Sequence, residues 1–128
     1  MKKLALLFSH KLSEDQKSDA EKSLGIKEFI YMSDRLLKKW SDIPEDIDIY
    51  DYSKDFKSFI EENCTKDDYI LIEGEYGITY HMVDWCKSKG YNPIYSFSKR
   101  VFESKEVENG VFENIHYFKH IKYKNYID

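Results

Sequence analysis

The sequence predicts an α/β fold: a Rossmann-like, mostly parallel sheet flanked by helices, closed by a C-terminal antiparallel β-hairpin. Three observations predict it. Two continuous apolar runs, Leu4-Ala5-Leu6-Leu7-Phe8 and Tyr69-Ile70-Leu71-Ile72, fit strands buried on both faces. Each gives way to a polar exit and then to a segment with helical spacing, the alternation that βα units produce. Near the C-terminus the period changes, and Asn109-Gly110 lies between two strand-like arms, the strongest short-range hairpin signal.

In chain order, the first strand spans residues 3–9 and leaves through Ser9-His10-Lys11. Ser13 with Gln16 three residues on is a capping-box pattern, opening a helix that runs to about Leu24 with Gly25 after it. A second strand is expected over 28–32, stopping at Ser33-Asp34. Leu36, Leu37 and Trp40 suggest a short helix or irregular segment, and the alternation at Ile47-Asp48-Ile49 suggests a brief edge strand. Ser53 is expected to cap a helix carrying Phe56, Phe59 and Ile60 at i, i+3, i+4.

Next comes the stretch on which the reading turns. The strand from Tyr69 breaks into Glu73-Gly74-Glu75-Tyr76-Gly77, and a helix follows with Ile78, Met82, Trp85 and Cys86 on one face. Strand, glycine turn and helix start together aim backbone N–H groups above the strand's carboxyl end, where anions are favoured. A further strand is expected over 92–97, beginning at Asn92-Pro93. The hairpin of residues 98–123 is then an appendage on a single domain, residues 1–128. A type I′ turn at Asn109-Gly110 would pair Val107 with Phe112 and Phe102 with Tyr117, and would set Glu106 against Glu113.

Composition narrows the function classes. A chain of 128 residues with 41% hydrophobic and 34% charged residues has the size and balance of one globular domain. Its net charge of −4 argues against long nucleic acid as a ligand, though not against a compact anion held by a few cations. Cys64 and Cys86 lack CxxC spacing and read as reduced thiols. No apolar run approaches the roughly 18 residues of a membrane span. The stretch from Lys2 to Phe8 is too short for a signal peptide. A cytoplasmic protein with no membrane partner is expected.

Three polar sets fall at strand carboxyl ends or helix starts: Ser9-His10-Lys11, Gly74 to Tyr80, and Ser96 to Arg100. If the strands ending at Ser9 and Ile72 are neighbours, the first two sets flank a topological switch point. Lys11, Lys99 and Arg100 supply cations, while Ser9, Thr79, Tyr80 and Ser98 supply hydroxyls. Tyr76 offers a ring on which a base can stack. His10 has a pKa suited to proton transfer near neutral pH. Each set also has a plain structural reading: a polar strand exit, a tight turn that wants glycine, a solvated strand end. His81 reads as a surface residue, and for His116 and His120, aromatic packing or exposure outweighs metal binding. Glu73 and Glu75 would repel a phosphate and leave a conflict in the anion reading.

Leu7-Phe8-Ser9-His10-Lys11-Leu12, Ile72-Glu73-Gly74-Glu75-Tyr76-Gly77 and Ile94-Tyr95-Ser96-Phe97-Ser98-Lys99-Arg100 together resemble a small family of type III CRISPR accessory proteins, along essentially the whole chain. The resemblance implies a stand-alone relative of the CRISPR-associated Rossmann-fold sensor domains with ring nuclease activity. Such an enzyme cuts cyclic tetra-adenylate, without metal or other cofactor, to linear products ending in a 2′,3′-cyclic phosphate. It implies a two-fold homodimer around the ligand. In that setting Gly74, Glu75, Tyr76, Gly77, Thr79, Tyr80, Ser98 and Lys99 would bind the ligand. His10, with Ser9, Lys11 and Arg100, would carry the chemistry, His10 being the first candidate for the proton. Two other readings stand beside it: a non-catalytic binder of the same ligand, and a metal-dependent nuclease or phosphatase on Glu73, Glu75 and Asp84.

Overall fold

The computed structural model describes residues 1–127. Its order is β1 (Lys2–Phe8), α1 (Glu14–Ser23), β2 (Ile26–Ile30), α2 (Asp34–Ser41), α3 (Ile49–Tyr52), α4 (Lys54–Asn63), β3 (Tyr69–Glu73), α5 (Tyr76–Lys89), β4 (Asn92–Glu108) and β5 (Val111–Asn125). The strands form one mixed sheet in the order β2-β1-β3-β4-β5. β1 pairs in parallel with β2 and β3, β3 pairs in parallel with the start of β4, and β4 and β5 are antiparallel. The fold is α/β with a C-terminal hairpin. No helix among the described residues is long and apolar enough to cross a membrane.

Alternation along the central strands sends side chains to two cores. Leu4, Leu6, Leu71 and Ile94 pack with Ala20 and Tyr123 beneath α1. Ala5, Leu7, Ile70 and Ile72 pack on the other face with Trp40, Phe56, Ile60, Ile78 and Met82 from α2, α4 and α5. The continuous apolar runs are therefore explained: both sides of β1 and β3 are covered. α1 begins with the expected capping box, Gln16 N–H on Ser13 Oγ at 3.1 Å and Ser13 N–H on Gln16 Oε1 at 2.9 Å. α5 stops at Gly90, whose φ of +87° is the left-handed conformation glycine allows.

Several expectations are corrected. The Ile47-Asp48-Ile49 segment is no strand: Asp48 accepts from the N–H groups of Tyr50 and Asp51 and starts the short helix α3. Short polar side chains next to a backbone N–H favour such a cap over a ladder. Ser53 makes no side-chain cap, because α3 runs almost directly into α4 and its hydroxyl donates to the Tyr50 carbonyl instead. β2 starts at Ile26, two residues before the expected Glu28. The strand expected over 92–97 and the first hairpin arm are one continuous strand, β4, with a register shift between Phe97 and Ser98.

The hairpin register also differs by one residue along the arm. Phe102 faces His116, Val101 faces Tyr117, and Lys105 faces Glu113, so the feared Glu106–Glu113 opposition is replaced by an opposite-charge pair. The cause lies at the tip. Only Gly110 of the turn pair has positive φ, +75°, which excludes a type I′ turn, and a second irregularity between Glu106 and Glu108 absorbs the extra residue.

At the carboxyl end of β3 the chain makes a close contact. A Cβ placed on Gly74 would lie 2.8 Å from the Trp40 indole, whose Nε1 donates to the Glu73 carbonyl at 3.1 Å. Gly74→Ala should therefore destabilise the fold by about 1–3 kcal/mol, as overpacking against a buried ring does. Urea unfolding would show this as a lowered midpoint at unchanged slope; an unchanged midpoint would mean the indole yields freely.

Candidate functional site

β1 and β3 lie side by side, and the chain leaves them in opposite directions across the sheet, to β2 on one side and β4 on the other. A crevice at their carboxyl ends follows from that topology. Ser9 lines a pocket there with Trp40, Ser41, Asp42, Ile43, Gly74 and Glu75. It also lines an adjoining hollow with Phe8, His10, Lys11, Tyr31, Met32 and Leu37. His10 is exposed, its ring edge against Phe8 at 5.5 Å between centroids.

The start of α5 is less open than the sequence suggests. Glu75 is its N-cap, accepting the Ile78 N–H at 2.9 Å. A Cβ on Gly77 would lie 3.2 Å from that same carboxylate. Both glycines thus have packing reasons, one beside Trp40 and one beside the chain's own capping carboxylate. Part of the helix terminus is already answered by an internal anion.

Beyond it, Tyr76 and Tyr80 are 92% and 77% exposed. With Thr79, Val83, Asp84, Lys87, Tyr126 and Ile127 they line a groove along α5 separate from the Ser9 pocket. Ser98, Lys99 and Arg100 lie on β4 past its last residue paired with β3, at the base of the hairpin. Lys99 and Arg100, like Lys11, are exposed and have no ion-pair partner among the described residues. The expected residues therefore fall into three groups around one edge. Ser9 links the hollow of His10 and Lys11 to the pocket of Gly74 and Glu75; Tyr76, Thr79 and Tyr80 line the second groove; Ser98, Lys99 and Arg100 form the third.

One constellation was missed. His120 is almost fully buried, with 4% of its side chain exposed. Its Nε2 lies 2.7 Å from Asp19 Oδ2 and its Nδ1 lies 2.6 Å from Ser96 Oγ. Ser96 Oγ also meets Gln16 Nε2 at 3.3 Å and Ser98 Oγ at 3.2 Å. Burial pushes the Asp19 carboxyl up, but hydrogen bonds from Ser23 and His120 outweigh that and hold it below its ordinary value. The only sequence signals were Ser96-x-Ser98 on one strand face and a histidine pair at i, i+4. The partner carboxylate is 101 residues away. His116, by contrast, packs against Phe102 as expected, 4.9 Å between centroids.

Beside this cluster, Glu73 accepts the Ser96 N–H at 3.4 Å, and burial pushes its carboxyl above the usual carboxylate range. His81 is half-buried rather than a surface residue: its ring meets Tyr50 edge-on, 4.8 Å between centroids. Burial, then the Lys57 charge, lowers its pKa. Burial pushes the Cys64 thiol up to about 11 and the Cys86 thiol up to about 12, so neither is a ready nucleophile. Among the described residues, no three His, Cys, Asp or Glu side chains gather where they could hold a metal ion. Glu73, Glu75 and Asp84 point to different tasks: Glu73 to the Ser96 amide, Glu75 to its own helix, Asp84 to the α5 groove.

Glu73 gives a pH test. Its raised folded pKa favours the neutral form, so the cost of ionising it is absent below the ordinary value of 4.5 and appears as pH rises through the folded value. Glu73→Gln should then melt higher than the parent at pH 8, with the gap closing by about pH 4. A gap independent of pH would mean that ionisation is not the cause.

The model of the Uncharacterized protein MJ1673 family matches residues 2–124, and the chain belongs to that family. It is similar to the Uncharacterized protein MJ1673 of Methanocaldococcus jannaschii, at 44% identity over 128 residues and 98% of each chain. No solved structure matches the chain.

Proposed function

We propose that this member of the MJ1673 family is a ring nuclease. It binds cyclic tetra-adenylate at the rim of the sheet and converts it, without metal, to linear products ending in a 2′,3′-cyclic phosphate, switching off type III CRISPR signalling. The single observation that carries the reading is the crevice between β1 and β3, where Ser9 meets the Gly74–Glu75 turn and also lines the hollow that holds His10 and Lys11. The substrate comes from the resemblance of the three sequence stretches; the crevice supplies a place for it.

Other features support the reading. The three parallel pairings and the side-by-side placement of β1 and β3 suit a Rossmann-like arrangement with a ligand at its switch point. Lys11, Lys99 and Arg100 are exposed cations near the rim, suited to phosphates. The two carboxylates that argued against an anion count for less than the sequence implied. Glu75 is engaged at its helix, and Glu73 is held toward its neutral form. Tyr76 and Tyr80 present open rings to a base, worth about 1–3 kcal/mol per stacked base. The exposed Phe102, Phe112 and Phe118 of the hairpin suit burial against a second copy, as a two-fold complex with a symmetric ring requires.

In the reaction a ribose 2′-hydroxyl attacks its own 3′-phosphate. The step asks chiefly for in-line geometry, and orientation alone supplies up to ~7–11 kcal/mol in favourable cases. A group at the rim exchanges a proton, His10 being the candidate the sequence offers first, and Lys11 and Arg100 stabilise charge on the phosphoryl oxygens. One observation favours a second reading, a binder that only sequesters the ring: His10 has a ring-edge contact with Phe8 and, among the described residues, no hydrogen bond that fixes its proton-bearing nitrogen.

Purified protein incubated with cyclic tetra-adenylate in EDTA should yield linear di-adenylate with a 2′,3′-cyclic phosphate. Intact ring after hours at stoichiometric protein would overturn the enzyme, and tight binding in that same sample would establish the sequestering protein instead.

A further inference from the structure

We propose that the proton acceptor of this reaction is Ser98, acting through a hydrogen-bond chain of Ser96, His120 and Asp19, rather than His10. The inference rests on the ring nuclease reading and names the group that does its acid–base work.

The direction of the chain follows from donor counting. Asp19 is ionised near neutral pH, so it only accepts, and His120 Nε2 must carry the hydrogen of their 2.7 Å contact. In the neutral ring Nδ1 is then an acceptor, and the donor in the 2.6 Å contact is Ser96 Oγ–H. That spends the one Ser96 hydrogen. Ser96 Oγ must therefore accept from Gln16 Nε2 at 3.3 Å and from Ser98 Oγ–H at 3.2 Å. Every member points its proton inward, and Ser98, half-buried, ends the chain with lone pairs that no donor among the described residues engages. Such an end accepts a proton from outside.

Its position suits the substrate. Leu71 is aligned with Ile94, which sets Glu73 level with Ser96 and Ser98 two residues beyond the end of β3. Phe8 is aligned with Glu73, so His10 stands at a similar height two strands away, roughly 10 Å at ordinary strand spacing. The glycine turn lies between them. The rim thus offers a proton acceptor on one side and a histidine on the other.

The step balances as follows. The 2′-oxygen bonds to phosphorus and the bond from phosphorus to the 5′-oxygen breaks. The 2′-hydroxyl proton passes to Ser98 as Ser98 gives its own to Ser96 and Ser96 gives its own to His120 Nδ1. The imidazolium so formed is held by Asp19, the departing 5′-oxygen takes a proton from water, and the chain returns its proton to water afterwards. The groups around His120 are Asp19 from α1, Glu73 from β3 by way of Ser96, and Tyr123 from its own strand, with the Lys122 charge acting on Asp19. Ser98 is the catalytic residue, and Asp19 is a positioning residue.

The test measures single-turnover cleavage of cyclic tetra-adenylate in EDTA, with binding of the ring measured separately for each variant. Ser98→Ala, a small change at a half-exposed position, should lower the rate ~10²-fold or more, a loss far larger than its loss of binding. Asp19→Asn should also slow cleavage, and should move the rising limb of the pH–rate profile to lower pH, because the imidazolium loses its counter-charge. A purely structural role would lower the rate without moving that limb. Ser98→Ala cleaving within threefold of an active parent, or an unmoved limb in Asp19→Asn, would overturn the relay alone. A parent protein that leaves the ring intact would overturn both the relay and the ring nuclease reading.

Discussion

One strand has to serve two partners, and most of the architecture follows from that constraint. β4 begins as the parallel neighbour of β3, through Asn92 to Ile94, and is the antiparallel neighbour of β5 from Ile94 onward. β3 ends at Glu73, so from Ser96 outward one edge of β4 loses its ladder. A buried amide needs an acceptor. The Glu73 side chain takes the place of a strand for the first such group, Ser96 N–H. The half-satisfied edge above it collects the polar side chains that the cores beneath exclude: Ser96, Ser98, His120, Gln16 and Asp19.

The same constraint ties the hairpin to the body. Beyond Ser98 the arms carry exposed apolar side chains and rest on no helix among the described residues, so their orientation depends on what holds the base. Tyr123 is buried and its hydroxyl donates to the Gln16 carbonyl at 2.8 Å; Tyr126 donates to the Ile72 carbonyl. His120 adds the contact to Asp19. His120 and Tyr123 of the last strand, with Tyr126 just beyond it, thus reach two different elements, α1 and β3. Burial with a paired hydroxyl favours the neutral phenol, and the Tyr126 pKa is pushed up to about 12. Because His120 is part of this anchor, the proposed chemistry is coupled to the position of the arm.

On the opposite face Trp40 does comparable work for the glycine turn. The indole covers Gly74 and hydrogen-bonds the Glu73 carbonyl, fixing how the chain turns from β3 into α5. Glu75 then folds back onto its own helix start. The turn is thus held by the chain's own contacts, which would preorganise it as a wall of the proposed site.

The sequence by itself determined the alternation of strands and helices, the helix stop at Gly25, the Ser13–Gln16 capping box and the existence of a hairpin. All depend on neighbours within a few residues, where periodicity and cap chemistry are local. It also located the rim groups Ser9, His10 and Lys11 and the Gly74–Gly77 turn, because residues at strand ends share an edge in any such sheet. Tertiary structure decided the rest. Fusion of two expected strands into β4 and the one-residue shift of the hairpin turned on a bulge and a single positive φ, neither of which leaves a pattern in the sequence. Asp48 made a helix start of an alternating segment. The Asp19–His120–Ser96 chain joins α1, β5 and β4 across more than a hundred residues of sequence. A hydrogen bond is specified by distance and direction in space, and no local signal carries either.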